Sequence, residues 1–410
     1  METTKIILKK ESDNKIEVSK DIESGIIEPK YFVSEEDFWG DVKKEVLLSV
    51  KKMLEINMEE EVAKYIGTTK WQHKKGRVGY RNGYYRRGIM TSFGDIAQIE
   101  VPRIREGKIK FKFIGKYRRR TKEVDNLMMN MFLEGVSTRK VEEVLKPFYG
   151  QKVASATVVS KITKELNVQV EKYHNRKIED KYEYLIFDGI WINTKSPVHK
   201  RRRCVLVAYG LWEEQGKLMR EIIDFKMAYN GEAQTSWENF IVGLKMRGLF
   251  GKKVKLITVD GNKGLCNAVR YFFPQALLQR CWAHKLRNVA NKLSKKLRTS
   301  CINQAREIYS QQTIYEAMKA YKHWVNVWEG IAPNAVKCIE TDLEELLNFY
   351  YCPKHLFKKL RTSNVIERLF REIRRRIRPM SCFNNRQSVE RIVFAIFNKM
   401  NKKYNPNFAF

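Results

Sequence analysis

Three carboxylates are the residues of this chain that could do chemistry together. Asp188 and Asp260 each close a short apolar run, at residues 184–187 and 256–259, and each is followed by glycine. Runs this short, rich in β-branched and aromatic side chains, predict buried strands, with each Asp at the C-terminal tip. A carboxylate there costs free energy to bury unless it is paired or bound to a cation. Two of them, on strands that can lie side by side, point to a shared cation. The third, Glu367, lies in Ser363-Asn364-Val365-Ile366-Glu367-Arg368, in the first or second turn of a helix whose expected N-cap is Ser363 or Asn364. A Glu in an Arg-rich helix is ordinarily a surface ion pair worth little. Its place after two strand-end aspartates favours instead a third acidic ligand in a phosphate-binding groove. Oxygen donors of this kind suit Mg²⁺ or Mn²⁺ rather than zinc. Two such ions about 3.5–4 Å apart can activate a water or a 3′-hydroxyl and stabilise the leaving oxygen of a phosphodiester. Asp188 would then bridge both ions, with Asp260 and Glu367 each holding one.

The elements that must position these groups follow from the hydrophobic pattern. Residues 182–193, 203–211 and 218–227 are three strand-like runs joined by short turns. Helix 233–246, strand 254–259, helix 263–272, strand 276–282 and helix 284–297 follow. Three strands and then alternating helix and strand make an α/β layer architecture with a mixed sheet. The order is that of a ribonuclease-H-like core, in which the first and fourth strands are neighbours, so that Asp188 lies beside Asp260. Residues 300–351 carry a helical pattern, with Tyr321, Trp324, Val325 and Trp328 at helical spacing, and form an all-α insertion. A last amphipathic helix, 388–402, closes the core. Upstream, helical spacing over 35–66 follows a loosely ordered leader at 1–35. A turn-rich basic stretch from Gly79 to Arg87 and two short strands separated by Phe93-Gly94-Asp95 come next. Helices over 127–166, broken at 135–138 and near 148–150, suit a helix-turn-helix. The divisions are therefore 1–70, 71–125, 126–178, 179–299, 300–353 and 354–410, the first three forming a mainly helical DNA-binding region with a small β element.

Charge names the partner. The 410 residues carry a formal net charge of +32, although residues 1–60 hold 10 basic against 15 acidic side chains. An excess of this size, concentrated after residue 60, calls for a polyanion, with nucleic acid the first choice. Residues 61–125 hold 18 basic and 6 acidic side chains interleaved with Tyr65, Trp71, Tyr80, Tyr84 and Tyr85, a phosphate-contacting surface with stacking residues. Residues 354–379 hold 10 basic and 2 acidic side chains. Seven scattered cysteines without a CxxC pair fit a reducing compartment rather than a disulfide scaffold. With no run long enough to span a membrane and no signal-peptide pattern, a cytoplasmic, nucleoid-associated location is expected.

The stretches Leu185-Ile186-Phe187-Asp188-Gly189-Ile190-Trp191, Thr258-Val259-Asp260-Gly261-Asn262-Lys263-Gly264-Leu265 and Gln279-Arg280-Cys281-Trp282-Ala283-His284-Lys285-Leu286-Arg287-Asn288 carry a resemblance. So do residues 362–376, with Arg81-Asn82-Gly83-Tyr84 and Gly135-Val136-Ser137-Thr138-Arg139 upstream. The chain resembles a DDE-type transposase of the Mutator-like bacterial insertion-sequence family. The resemblance implies a Mg²⁺-dependent enzyme with Asp188, Asp260 and Glu367 as catalytic and metal-binding residues. It would bind the element's terminal inverted repeats and join them to target DNA as a homodimer or larger synaptic complex. On spacing alone Cys281 and His284 are half a zinc site without a second half. The resemblance instead assigns them to the active site, with His284 touching or orienting the scissile strand. Arg287, Asn364, Arg368, Arg371, Arg374 and Arg375 are the expected DNA contacts beside the carboxylates, and Arg81, Arg86, Arg87 and Arg139 those further upstream. Trp324 or Trp328 could stack on a displaced base, with core packing as the competing role.

Overall fold

The computed structural model describes residues 9–10, 16–17, 34–72, 75–115, 117–149, 155–195, 200–228, 230–380, 383, 385–406 and 408. The expected leader lies outside the described residues, apart from residues 34 and 35 and the paired two-residue strands β1 (Lys9–Lys10) and β2 (Ile16–Glu17). The chain divides into two compact units, Met1–Asn130 with Glu142–Ser155, and Met131–Val141 with Ala156–Phe410.

In the first unit, α1 (Glu35–Ile66) starts at Ser34, whose side chain accepts from the Asp37 amide at 3.1 Å, and stops at Gly67 in the left-handed conformation. It packs on a hairpin of β3 (Arg81–Thr91) and β4 (Gly94–Ile104), burying Met58 with Ile89, Ile96, Ile99 and Val101. The stretch expected to be turn-rich, 79–87, is therefore strand from Arg81 onward. Period-2 burial of one face outweighs the turn propensity of Asn82-Gly83, and the ladder shifts register there.

Two helices, α2 (Lys122–Leu133) and α3 (Thr138–Tyr149), run across the division between the units, and residues 150–154 after them lie outside the described residues. The last helix expected in this stretch, ending at residue 166, corresponds to α4 (Ala156–Lys164), and a further helix, α5 (Leu166–Asn175), follows it.

The second unit is built on a five-stranded sheet. Its strands are β5 (Tyr184–Lys195), β6 (Lys200–Glu214), β7 (Lys217–Ala228), β8 (Leu256–Val259) and β9 (Leu277–Arg280). Their order is β7-β6-β5-β8-β9, with β5, β8 and β9 mutually parallel and β6 antiparallel to both its neighbours. One face carries Leu185, Phe187, Leu206 and Ile257 and is covered by α6 (Gln234–Met246) and α7 (Lys263–Phe272). The other carries Ile186, Ile190, Val205 and Val207. It joins one core with α8 (Trp282–Ala290), α9 (Lys295–Ile308), α10 (Ile314–Trp328), α11 (Pro333–Glu340) and α12 (Leu343–Leu347), and with α13 (Phe357–Leu360), α14 (Asn364–Ile377) and α15 (Arg386–Tyr404). Burial on both faces explains why β5 and β8 read as unbroken apolar runs.

Two expectations need correction. The helix expected over 284–297 is α8 and α9 with a break between Ala290 and Lys295, because Leu293 turns into the core. Asp188 also does not end its strand: β5 continues seven residues further, paired throughout with β6. The apolar run stops at Asp188 because β8 stops there, and alternate residues of β5 are exposed beyond it.

Candidate active site

Parallel pairing sets Phe187 of β5 against Val259 of β8, so the next residues, Asp188 and Asp260, are neighbours where β8 ends. Asp188 is buried, at 5 % exposure. Burial pushes its carboxyl up to about 7; the positive charge of His284 opposes the rise and the like charge of Asp260 adds to it. One Asp188 oxygen accepts from the Gly189 amide at 2.8 Å. Asp260 accepts from the Asn262 amide at 3.0 Å, and Asn262 in turn caps α7 through the Leu265 amide at 3.0 Å. A turn and a helix cap thus hold Asp260 in place.

The next parallel strand brings in the cysteine and histidine. Val259 faces Arg280 in the β8–β9 ladder, and the Cys281 amide donates to the Val259 carbonyl at 2.8 Å. Cys281 then heads α8, so His284 falls in its first turn. Glu367 arrives from the far end of the chain. Thr258 Oγ1 donates to the Leu360 carbonyl at 2.7 Å and the Trp282 amide to the Arg361 carbonyl at 3.0 Å, fixing the start of α14 beside β8 and α8. Ile366, Leu369, Phe370 and Ile373 bury one face of α14, and Glu367 projects beside His284, 3.9 Å from Nε2 to Oε1. Arg287 Nη2 lies 3.4 Å from the same oxygen.

Ser363 is the N-cap of α14, as expected, yet its side chain caps nothing. Its hydroxyl lies 3.3 Å from Cys281 Sγ and 3.4 Å from His284 Nδ1, while its amide donates to Cys281 Sγ at 3.2 Å. Burial would push the His284 imidazole down. The hydrogen bond and charge of Cys281, with the charges of Asp188 and Asp260, outweigh it and raise the group to about 9. Burial likewise opposes the Cys281 thiolate, but His284 and Ser363 draw the thiol below its ordinary value. At neutral pH His284 is an imidazolium among three carboxylates.

A fourth carboxylate, which nothing in the spacing of the sequence singles out, lies against Gly189. Glu232, in the loop between β7 and α6, accepts from Trp191 Nε1 at 2.8 Å and from Cys204 Sγ at 3.4 Å. Burial raises its carboxyl, and the negative charge of Asp260 adds to the shift. Gly189 makes room for it: a Cβ there would stand 2.8 Å from both Glu232 Oε1 and Cys204 Sγ. The only hint in the sequence is the glycine after Asp188, which marks a close approach without naming what approaches. Ser363 was visible only as a helix cap.

The donor set fits a hard divalent cation, since paired carboxylates raised by burial and mutual repulsion are relieved by one. In this arrangement Glu367 is turned toward His284 and Arg287, and among the described residues no three His, Cys, Asp or Glu side chains converge on a metal position. Cys281 and His284 both face Ser363.

Of the expected DNA contacts in this unit, Asn364, Arg368, Arg371, Arg374 and Arg375 are exposed on α14, and Arg375 pairs with Glu372 at 3.0 Å. In the hairpin unit the arginines have partners of their own. Arg81 donates to the Thr68 carbonyl at 3.1 Å, Arg86 pairs with Glu100 at 3.0 Å, and Arg87 donates to the Gly115 carbonyl at 3.2 Å. Arg139 is exposed on α3. Trp324 and Trp328 are corrected outright as base-stacking residues. They are 1 % and 4 % exposed, and their indole N–H groups donate to the Cys301 carbonyl at 3.2 Å and to Gln304 Oε1 at 2.6 Å. Helical spacing aims both rings into the core shared by α9 and α10.

Residues 33–406 match the family described as "Transposase, Mutator family". The chain is similar to the transposase for insertion sequence element ISRM5 of Rhizobium meliloti (strain 1021), 30% identical over 362 residues, covering 86% of this chain and 89% of the relative. It is similar to the transposase for insertion sequence element IS256 in transposon Tn4001 of Staphylococcus aureus, 31% identical over 359 residues, covering 87% and 89%. The transposase for insertion sequence element IS905 of Lactococcus lactis subsp. lactis (strain IL1403) is 28% identical over 332 residues, covering 80% and 82%. Among solved structures, a chain of the Drosophila P element transposase strand transfer complex is 13% identical with a TM-score of 0.29, over 72% of this chain and 83% of that one, a likeness too slight to bear on the fold.

Proposed function

The chain belongs to the Mutator family of transposases, and from that premise we propose that it binds the terminal inverted repeats of its own insertion sequence, cuts the DNA at the element ends and joins the freed 3′-hydroxyl to target DNA. The observation that supports this reading is the register that sets Asp188 beside Asp260 at the end of β8, with α14 holding Glu367 3.9 Å from His284, whose charge is coupled to both aspartates. Asp188 and Asp260 would hold Mg²⁺ or Mn²⁺, with Glu367 as the third ligand. Bound there, a pair of ions supplies an activated water or hydroxyl and charge stabilisation on the leaving oxygen.

The rest falls to the chain's own residues. In the first step a water oxygen bonds to the phosphorus at the element boundary, and the P–O3′ bond breaks, leaving a 3′-hydroxyl. In the second that 3′-oxygen bonds to a target phosphorus and the target's own 3′-oxygen leaves, so phosphodiester bonds are conserved. His284, held as an imidazolium, and Arg287 present positive charge beside Glu367, where a scissile phosphate must sit. The exposed arginines of α14 line the DNA backbone next to it. On this reading the five-stranded sheet is a ribonuclease-H-like core, α9–α12 are its insertion, and the upstream helices and hairpin recognise the ends. Two ends are processed together in a dimer or larger assembly.

The test is incubation of a labelled duplex of the element's end with plasmid target and Mg²⁺, using the wild type and the Asp188→Ala, Asp260→Ala and Glu367→Ala variants. Nicking at the boundary and a 3′-end joined to the plasmid are expected. Each variant should lose at least ~10²-fold in rate while binding the duplex as tightly as the wild type. Specific binding without cleavage in Mg²⁺ or Mn²⁺ would make the protein a DNA-binding regulator; cleavage without joining would make it a nuclease.

A further inference from the structure

We propose that Trp191 is a stacking platform for an unpaired nucleobase next to the scissile phosphate, clamped in place by Glu232. The proposal rests on the DNA-cutting reading above and extends it to a residue that reading does not use. Trp191 lies three residues beyond Asp188 on the same strand, roughly 10 Å along it, a distance spanned by about three stacked nucleotides. The residue is 42 % exposed, whereas both tryptophans of α10 are buried.

The ring is fixed rather than free. Nε1 donates to Glu232 at 2.8 Å, so the polar edge is anchored inward. The far edge packs on Gly231, where a Cβ would come within 2.8 Å of the ring. Cys204, the neighbour of Trp191 across the β5–β6 ladder, donates to the same Glu232 oxygen. Glu232 is therefore engaged twice, and both bonds hold the platform side of β5. Arg202, two residues before Cys204, places its guanidinium 5.9 Å from the ring centroid, adding positive charge where a backbone phosphate would accompany a stacked base.

The place in the fold also fits. Beyond Phe187, β5 has no ladder partner on its β8 side among the described residues until the bridge from Thr194 to Phe383. Between them, residues 188–191 make no ladder pairing on that side among the described residues. A pre-oriented indole with its N–H satisfied, partly exposed beside a guanidinium and anchored on a carboxylate that feels the charges of Asp260 and His284, is suited to a π-face with a phosphate attached. An immobile ring also forfeits little entropy when a base lands on it.

The test uses the full chain with two labelled DNAs, a fully paired duplex and a forked duplex. The fork carries 2-aminopurine at the first, second or third unpaired position, in separate substrates. Binding is followed by anisotropy and stacking by 2-aminopurine fluorescence. The wild type should favour the fork and quench one position. Trp191→Ala should lose that quenching and weaken fork binding roughly 5- to 150-fold, the range for one base–aromatic stack, with paired-duplex binding unchanged. Trp191→Phe should keep most of both, and Glu232→Ala should lose part of the quenching. Unchanged quenching and fork affinity in Trp191→Ala would overturn the proposal. So would a loss of self-association of the DNA-free protein in that variant, which would show the ring covering a protein surface. A wild type that binds neither DNA would refute the DNA-acting reading itself.

Discussion

His284 is the residue whose surroundings most alter its chemistry. Alone on a helix a histidine is a weak base at neutral pH. Here Cys281 and the two aspartates outweigh burial and raise it to about 9. That value lies above the roughly 6.5 of an unperturbed histidine. The imidazolium therefore contributes stability that is fully present below about 6.5 and is lost as pH rises through about 9. In chelator-treated protein, long-range ¹H–¹⁵N NMR should show both ring nitrogens protonated at pH 7.5 and a midpoint near 9. Cys281→Ser should shift the midpoint toward the ordinary value. A ring that is neutral at pH 7.5 would remove the positive charge assigned to the site.

At the scale of elements, α9 and α10 form a core of their own kind. Cys301 and Ala305 of α9 face Trp324 and Trp328 of α10, and each indole N–H reaches across to α9. Small residues on one helix admit large rings from the other, which is why helical spacing of tryptophans signalled packing rather than recognition. Trp324→Ala should cost about 3–5 kcal/mol in urea unfolding, while DNA affinity of the folded fraction stays within about twofold of the wild type, a surface-neutral effect. An unchanged unfolding midpoint with weakened DNA binding would restore a contact role. The same packing serves the site from a distance. Asp342, just before α12, pairs with Arg280 at 3.0 Å and with buried Lys285, tying the helical segment to the strand and helix that carry Cys281 and His284.

For the molecule as a whole, a formal charge of +32 makes DNA affinity a matter of salt. Arg371, Arg374 and Arg375 are exposed on α14 beside the carboxylates, whereas Arg376 is buried against Glu372 and Glu134. On the proposed reading the exposed three contact phosphates, while Arg376 acts as a strut. Replacing Arg371, Arg374 and Arg375 by Ala should reduce the slope of log affinity against log salt by roughly 2–3, near 0.9 per phosphate contact. Arg376→Ala should leave the slope unchanged and lower stability instead. The reverse pattern would show that α14 does not lie on DNA. No helix among the described residues is long and apolar enough to cross a membrane.

The sequence by itself determined the family, through its motifs, and the two apolar strands that carry Asp188 and Asp260, because such runs are local signals. A strand buried on both faces must be an apolar run, and a parallel pair in register delivers equivalent ends side by side. Tertiary structure decided what no local signal encodes. Asp188 lies mid-strand because β8, not β5, ends there. Ser363 left its cap for Cys281 and His284 because α8 and α14 meet at that point. Glu232 reached the site through a gap that only a glycine leaves. Each depends on two segments distant in the chain, and side-chain spacing along one segment carries no record of what packs against it. Exposure of tryptophans was decided the same way: Trp324 and Trp328 are buried by the packing of α9 on α10, while Trp191 on β5 stays 42 % exposed.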